Sequence, residues 1–194
     1  MQAQRTELVP KLNESGQSIN ILVKNAAFVG TSGLPGWGVL FQEQSIDMCR
    51  RALEVNLAAV FGSCQGLSTL IKEAKGASII NVASIHGMHA PDWSFYEGTN
   101  LGNPAAYGAS KGGLIQLTRW LATTIAPEVR VNAISAGRLF RNQPEEFAKW
   151  YEAHTPSRRM TSEEDFRGAI TYLSSDLSKY VTGQVLSVNG GWGV

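Results

Sequence analysis

A chain of 194 residues with 17 basic and 16 acidic side chains carries no electrostatic footprint for nucleic acid or an anionic membrane. Its 43% hydrophobic and 17% charged residues are those of a globular protein able to form one domain. No apolar run reaches the ~20 residues of a membrane span, and no apolar leader follows Met1-Gln2-Ala3-Gln4-Arg5. The expectation is a cytoplasmic protein whose partners are small molecules, with neither nucleic acid nor membrane among them.

Thr6 to Ser15 has the spacing of a short amphipathic helix closed by Gly16. Ile19 to Val23 reads as a strand apolar on both faces, as parallel strands between helices are, with Asn25-Ala26-Ala27 at its carboxyl end. Thr31 to Gly38 is a glycine-rich loop in which Trp37 is expected to cap the core rather than line a pocket mouth. From Ser45 to Ala74 apolar residues recur at helical spacing, and Asn56 lies within that apolar face, where an amide needs partners. Cys49 and Cys64 fall in the same segment. At ~1.5 Å of rise per residue they lie too far apart for a disulfide and read as buried free thiols.

Ala77 to Ser84 reads as a second buried strand ending in a hydroxyl, at the end of the sheet where reactive groups collect in open α/β folds. A long connection from His86 to Asn103 follows, of the kind that serves recognition. His86, His89 and Asp92 could approach a metal, but two imidazoles on a loop make a weak site, and no metal is expected. Pro104 suits a first helical turn, and Leu114, Leu117, Trp120, Leu121 and Ile125 form the apolar stripe of a helix ending near Pro127. Arg130 to Ser135 is the next strand, running into Ala136-Gly137. Arg138 and Arg141 could bind a phosphate or carboxylate or simply be solvated. Another helix starts after Asn142-Gln143-Pro144. Ser162 to Asp165 has capping-box spacing ahead of a helix ending near Ser174, and Gln184 to Val188 is the last strand.

The chemistry is concentrated in Tyr107-Gly108-Ala109-Ser110-Lys111. Residues four apart lie on one helix face, so Tyr107 and Lys111 can serve one small volume. A phenol titrates near ~10, and a cation within a few Å lowers that value, which would make the pair a proton-transfer catalyst. Taken alone, the pair reads as an ordinary helix face with a core tyrosine and a solvated lysine. Tyr96 is a rival phenol, but Asn100, not a lysine, stands four residues on.

In company, these residues resemble the short-chain dehydrogenase/reductase family. The resemblance is carried by Tyr107 and Lys111 as Tyr-x-x-x-Lys, Ser84 ending its strand, and Asn56 in Glu54-Val55-Asn56-Leu57. Asn25-Ala26-Ala27 and the ending Tyr180-Val181-Thr182-Gly183-Gln184 with Asn189-Gly190-Gly191-Trp192 complete it. It implies an NAD(P)-dependent oxidoreductase moving a hydride between a nicotinamide and a carbonyl or alcohol, sugar-derived ones included. Tyr107 would exchange the proton, Lys111 lower its pKa and hold the ribose, Ser84 orient the carbonyl, and Asn56 hold a water of a proton relay at a helix kink. Asn25, Ala26, Ala27, Tyr107, Lys111, Ala136, Gly137 and Leu139 would face NAD or NADP, with Asn25 also steadying the sheet. The Asn56 and Tyr107 helices would pair with a second subunit in a homodimer or homotetramer. Tyr96-Glu97-Gly98-Thr99 adds a fainter resemblance to members acting on bacterial surface sugars and nonulosonic acids.

The sequence departs from the family pattern in three places. Lys24 and Ala27 replace the outer residues of Asn-Asn-Ala-Gly, Ala136 replaces a proline, and no Thr-Gly-x-x-x-Gly-x-Gly unit precedes Ile19. The implied fold is therefore α/β, a Rossmann-like doubly wound parallel sheet lacking its first βαβαβ half-unit, with residues 1–194 as one partial domain. Cofactor binding would be impaired, and Ile19 to Val23 would form an exposed apolar edge. The chain alone is expected to be poorly stable. The alternatives are an inactive chain serving as an oligomerising subunit, and an incomplete gene model of an active enzyme.

Overall fold

The computed structural model describes residues 9–12, 14–29, 34–98 and 102–194. Among these residues, four strands form one parallel sheet in the order of the chain: β1 (Ile21–Lys24), β2 (Ala77–Val82), β3 (Val129–Ala136) and β4 (Val185–Val188). Ile21 lies opposite Ser78, Ala77 opposite Val129 and Ala133 opposite Val185. Helices link successive strands, as parallel pairing requires.

The segment read as one helix from Ser45 is built in pieces. Ser45 caps α1 (Ile46–Leu53), its hydroxyl accepting from the Asp47 N–H at 3.2 Å. A π-helical stretch, Glu54–Ala58, continues into α2 (Ala59–Gly66) and α3 (Ser68–Lys72). Cys64 is buried and Cys49 half-buried, and both are free thiols. After β2, the long helix α4 (Ala105–Thr124) starts directly behind Pro104. Then come α5 (Glu145–His154) and α6 (Glu164–Ser174). The residues of Thr6–Ser15 are described only in part. Residues 9–12 are helical, and Gly16 takes the left-handed conformation of a helix end at φ +66°.

The core has two sides, because β2 and β3 send alternate residues to opposite faces. Ile79, Val129 and Val131 pack with Val60, Leu67, Leu70, Ile71, Leu114 and Leu121 from α2, α3, α4 and the residue joining α2 to α3. Ile80 and Ile134 pack on the other face against Leu173 of α6. The sheet is thus covered on both faces. Its β1 margin is not: Ile21 and Val23 are 47% and 38% exposed, as expected of an edge strand. Trp37 is buried, with its ring centroid 4.8 Å from that of Phe28 and its indole N–H on the Val29 carbonyl. That is the core role read from the sequence.

Candidate active site

Tyr107 and Lys111 stand one turn apart on α4, whose first turns run past the carboxyl end of β2. Close backbone approach brings Ser84 to the same corner. A Cβ on Gly87 would lie 2.7 Å from the Lys111 carbonyl carbon, and one on Gly108 would lie 3.0 Å from the His86 oxygen. Glycine at both positions lets the short turn Ile85–Gly87 seat on the helix. Ser84 caps that turn, accepting from the His86 N–H at 3.2 Å, and is buried.

Asn56 lies inside the π-helical stretch and is buried. Its amide oxygen accepts from the Phe28 N–H at 2.6 Å. Its nitrogen donates to the Phe28 carbonyl and to Ser110 Oγ, both at 3.0 Å. The loop after β1 is thereby tied to α4. The expected kink is present as a π-turn, a distortion common at functional sites, and the buried amide has its partners. Asn25 does not have the steadying role expected of it. It is exposed, and among the described residues its side chain makes no hydrogen bond; Asn56 holds that loop instead.

The electrostatics correct a second expectation. Lys111 is buried and donates to the Val82 carbonyl at 2.6 Å, with Nζ 5.8 Å from the Tyr107 ring centre. Burial lowers its pKa to about 8, so it remains largely cationic at neutral pH. The Tyr107 phenol is not lowered but raised, because burial outweighs the downward pull of a hydrogen bond from Ser84 and of the Arg138 charge. Arg138 supplies a charge that pulls the phenol down. The corner holds a protonated phenol ready to donate, beside a buried ammonium.

His86 lies edge-on to Tyr107 with ring centres 6.2 Å apart. Burial first, and the Arg138 charge second, hold its pKa down at about 4, so it is neutral. No three His, Cys, Asp or Glu residues among those described gather closely enough to hold a metal. His86 instead joins Ile85, Phe95, Phe147, Trp150 and Trp192 around a pocket that also holds Arg138. Sequence reasoning missed this aromatic wall. Its signal was the cluster of rings in the connection after Ser84, which meets α5 and the chain's last residues only in three dimensions. Tyr96, the rival phenol, lines the same pocket and accepts from Asn103 Nδ2 at 3.2 Å. Thr99 and Asn100 lie outside the described residues.

Comparisons with known proteins bear on the family of this chain. Residues 1–193 match the family model described as enoyl-(acyl carrier protein) reductase. The post-translational flagellin modification protein A of Campylobacter coli is 32% identical over 192 residues, which span 93% of this chain and 75% of the relative. A short-chain dehydrogenase of Leptospira borgpetersenii, solved with bound NAD+, superposes with a TM-score of 0.84 at 32% identity over 97% of this chain and 70% of its own. A Pseudomonas aeruginosa RhlG/NADP complex superposes equally well, with TM-score 0.84, at 25% identity over 100% of this chain and 74% of its own.

The chain belongs to the short-chain dehydrogenase/reductase family. Of the residues carried over from that family, the fold gathers Asn56, Ser84, Tyr107 and Lys111 at one corner. Asn25, Ala26 and Ala27 follow β1, while Ala136, Gly137 and Leu139 close β3 and its turn, all at the carboxyl end of the sheet. The donor set suits the nicotinamide end of a dinucleotide. The Lys111 ammonium has three N–H groups, of which Val82 takes one, and the Leu139 N–H is in no hydrogen bond among the described residues. Ala136 stands where the family pattern has a proline, ahead of the turn that follows β3. In this chain the Leu139 to Thr161 bridge fixes it.

Proposed function

We propose that this chain is a nicotinamide-dependent carbonyl reductase or alcohol dehydrogenase in which Tyr107 moves the proton. The observation that carries the reading is the single corner shared by a raised phenol, a buried lysine and a buried serine. When bound, NAD or NADP in its reduced form supplies a hydride to the carbonyl carbon and leaves oxidised. The displaced π electron pair moves to the carbonyl oxygen, and the Tyr107 hydroxyl protonates that oxygen as it becomes an alcohol. Ser84 Oγ orients the oxygen toward the phenol. Lys111 holds ribose hydroxyls with the N–H groups that Val82 leaves over, and its charge stabilises the phenolate left by proton transfer until solvent re-protonates it. Leu139 N–H, Asn25, Ala26 and Ala27 line the remainder of the nicotinamide pocket.

The same chain pairs with a second copy through α1, the π-turn, α2 and α4. Leu53, Phe61 and Trp120 are 36%, 41% and 52% exposed along one open groove, with Leu57 and Leu117 at its base. A contiguous apolar groove of this kind supports self-association. Substrates are small carbonyl compounds, and the flagellin-modifying relative supports trying sugar-derived ones first.

The test is titration of the purified chain with NADH and NADPH, following nicotinamide fluorescence and thermal stability together. Saturable binding with a matching stabilisation, weakened by Lys111→Met, is the expected result. A folded chain that binds neither nucleotide contradicts the reading and leaves the constellation without a hydride source.

A further inference from the structure

Arg138 follows the Ala136-Gly137 turn at the end of β3, and its backbone is pinned. Its N–H donates to the Tyr151 hydroxyl at 3.0 Å, and its carbonyl accepts from the Thr161 N–H at 3.1 Å. The side chain therefore enters the aromatic pocket from a fixed point. Its guanidinium carbon lies 4.9 Å from the centre of the Phe147 ring, and its charge acts on both Tyr107 and His86.

The other arginines of this neighbourhood are satisfied. Arg141 pairs with Glu163, Arg159 with Asp165, and Arg167 with Glu164. Among the described residues Arg138 has no ion pair, although it stands in a cleft walled by rings. Asp92 also lines this pocket. Its Oδ1 is occupied by the Ser94 N–H and hydroxyl at 3.0 and 2.7 Å, which turns it to cap the short helix Trp93–Tyr96.

A guanidinium presents paired N–H donors matched to a carboxylate or phosphate, and low-dielectric walls strengthen that attraction. Building on the proton-transfer role proposed for Tyr107, we propose that Arg138 is the anion receptor of the substrate pocket. The substrate then carries a carboxylate or phosphate close to its reacting carbonyl. An anion at the far end of a long chain would sit beyond the reach of a cation that shares its pocket with His86, whose ring lies edge-on to the phenol. Arg138 sets specificity, and the rings of Phe95, Phe147 and Trp150 exclude water around the pair.

Trp150 and Trp192 line the pocket and report on its occupancy by fluorescence. Two matched pairs of probes distinguish the anion: 2-oxobutanoate against its methyl ester, and dihydroxyacetone phosphate against dihydroxyacetone. In the wild-type chain one anionic probe is expected to bind at least ~10-fold more tightly than its neutral partner. Arg138→Met should lose at least ~10-fold for that anion and nothing for the neutral compound, while Arg138→Lys should recover part of the loss. A response to the oxo acid alone identifies a carboxylate substrate, and a response to the phosphate ester alone identifies a phosphate substrate. Equal binding within both pairs, no binding of either anion, or full anion binding by a folded Arg138→Met variant would overturn the proposal. If Arg138→Met does not fold, the comparison of wild type with Arg138→Lys still decides it, because an unaltered anion preference in the lysine variant contradicts a paired guanidinium contact. Turnover is read separately. Anion selectivity in a chain that reduces no carbonyl with NADH or NADPH would sink the catalytic role of Tyr107 and leave the receptor standing, whereas reduction of neutral carbonyls without anion selectivity would do the reverse.

Discussion

Along β2, Ala77, Ser78, Ile79, Ile80 and Asn81 are at most 1% exposed, whereas the adjacent β1 leaves Ile21 and Val23 at 47% and 38%. The two strands share a register and a direction, yet they support different halves of the site. The groups that would move a proton hang from buried positions with fixed partners: Lys111 on the Val82 carbonyl, Ser84 on its own turn, Asn56 on Phe28 and Ser110. The groups that follow β1, Asn25 to Ala27, are backbone and small side chains at a half-open margin. In the proposed mechanism, preorganisation of the first set favours catalysis directly, and the second set is expected to govern affinity.

The largest effect should come from Tyr107→Phe, which removes the proton and little else. Turnover should fall by ~10²–10⁴-fold while nucleotide affinity and the thermal melt stay close to wild type. A variant that retained activity would break the distinction between the two strands at its strongest point.

Lys111→Met probes both halves at once, and its pH behaviour carries a sign. Folded Lys111 titrates at about 8, below its ordinary value of 10.5. Between those values the unfolded chain holds the extra proton, so wild-type stability should gain with rising pH from about 8 to 10.5, and that contribution is lost as pH falls through about 8. Chemical denaturation at several pH values should show this slope in wild type and lack it in the variant. Carbonyl reduction by wild type should decline as pH rises past about 8, where the ammonium is lost, and His86, held near 4, should add no break around neutrality.

Asn56→Leu tests whether the tether between the loop after β1 and α4 is structural. It strands the Phe28 N–H and carbonyl and removes the donor to Ser110 Oγ, so a loss of about 1–3 kcal/mol is expected in denaturant unfolding. The smallest effect should follow from Ile21→Thr with Val23→Thr. Substitutions at exposed positions stay within about 0.5 kcal/mol, but self-association measured by sedimentation should weaken if the apolar edge recruits other chains. A large stability loss there would mean that β1 is as deeply committed as β2.

Much of this was legible in the sequence because it rests on local spacing. The period of α4 placed Tyr107 and Lys111 on one face, and the spacing of Ser162 and Asp165 gives the contact made at the start of α6, the Ser162 N–H and hydroxyl reaching the carboxylate at 2.8 and 3.0 Å. The edge character of β1 followed from strand order. What spacing could not convey was the state of the phenol, which depends on how deeply three-dimensional packing buries it. Nor could it separate Arg138 from Arg141: both are cations on one loop, and only tertiary contacts give one a glutamate and the other a ring-walled cleft. The division of the Ser45 to Ala74 segment by a π-turn was likewise hidden, because one inserted residue barely alters an apolar repeat.

The central claim is that Tyr107 protonates a carbonyl while a nicotinamide delivers the hydride. It is tested most directly by incubating the chain with a carbonyl substrate and nicotinamide deuterated at C4, then weighing the alcohol product. The account predicts deuterium at the former carbonyl carbon for wild type and none for a folded Tyr107→Phe chain that still binds the nucleotide. Bound, labelled nucleotide with no deuterium transferred by the wild-type chain to any carbonyl, neutral or anionic, would contradict it.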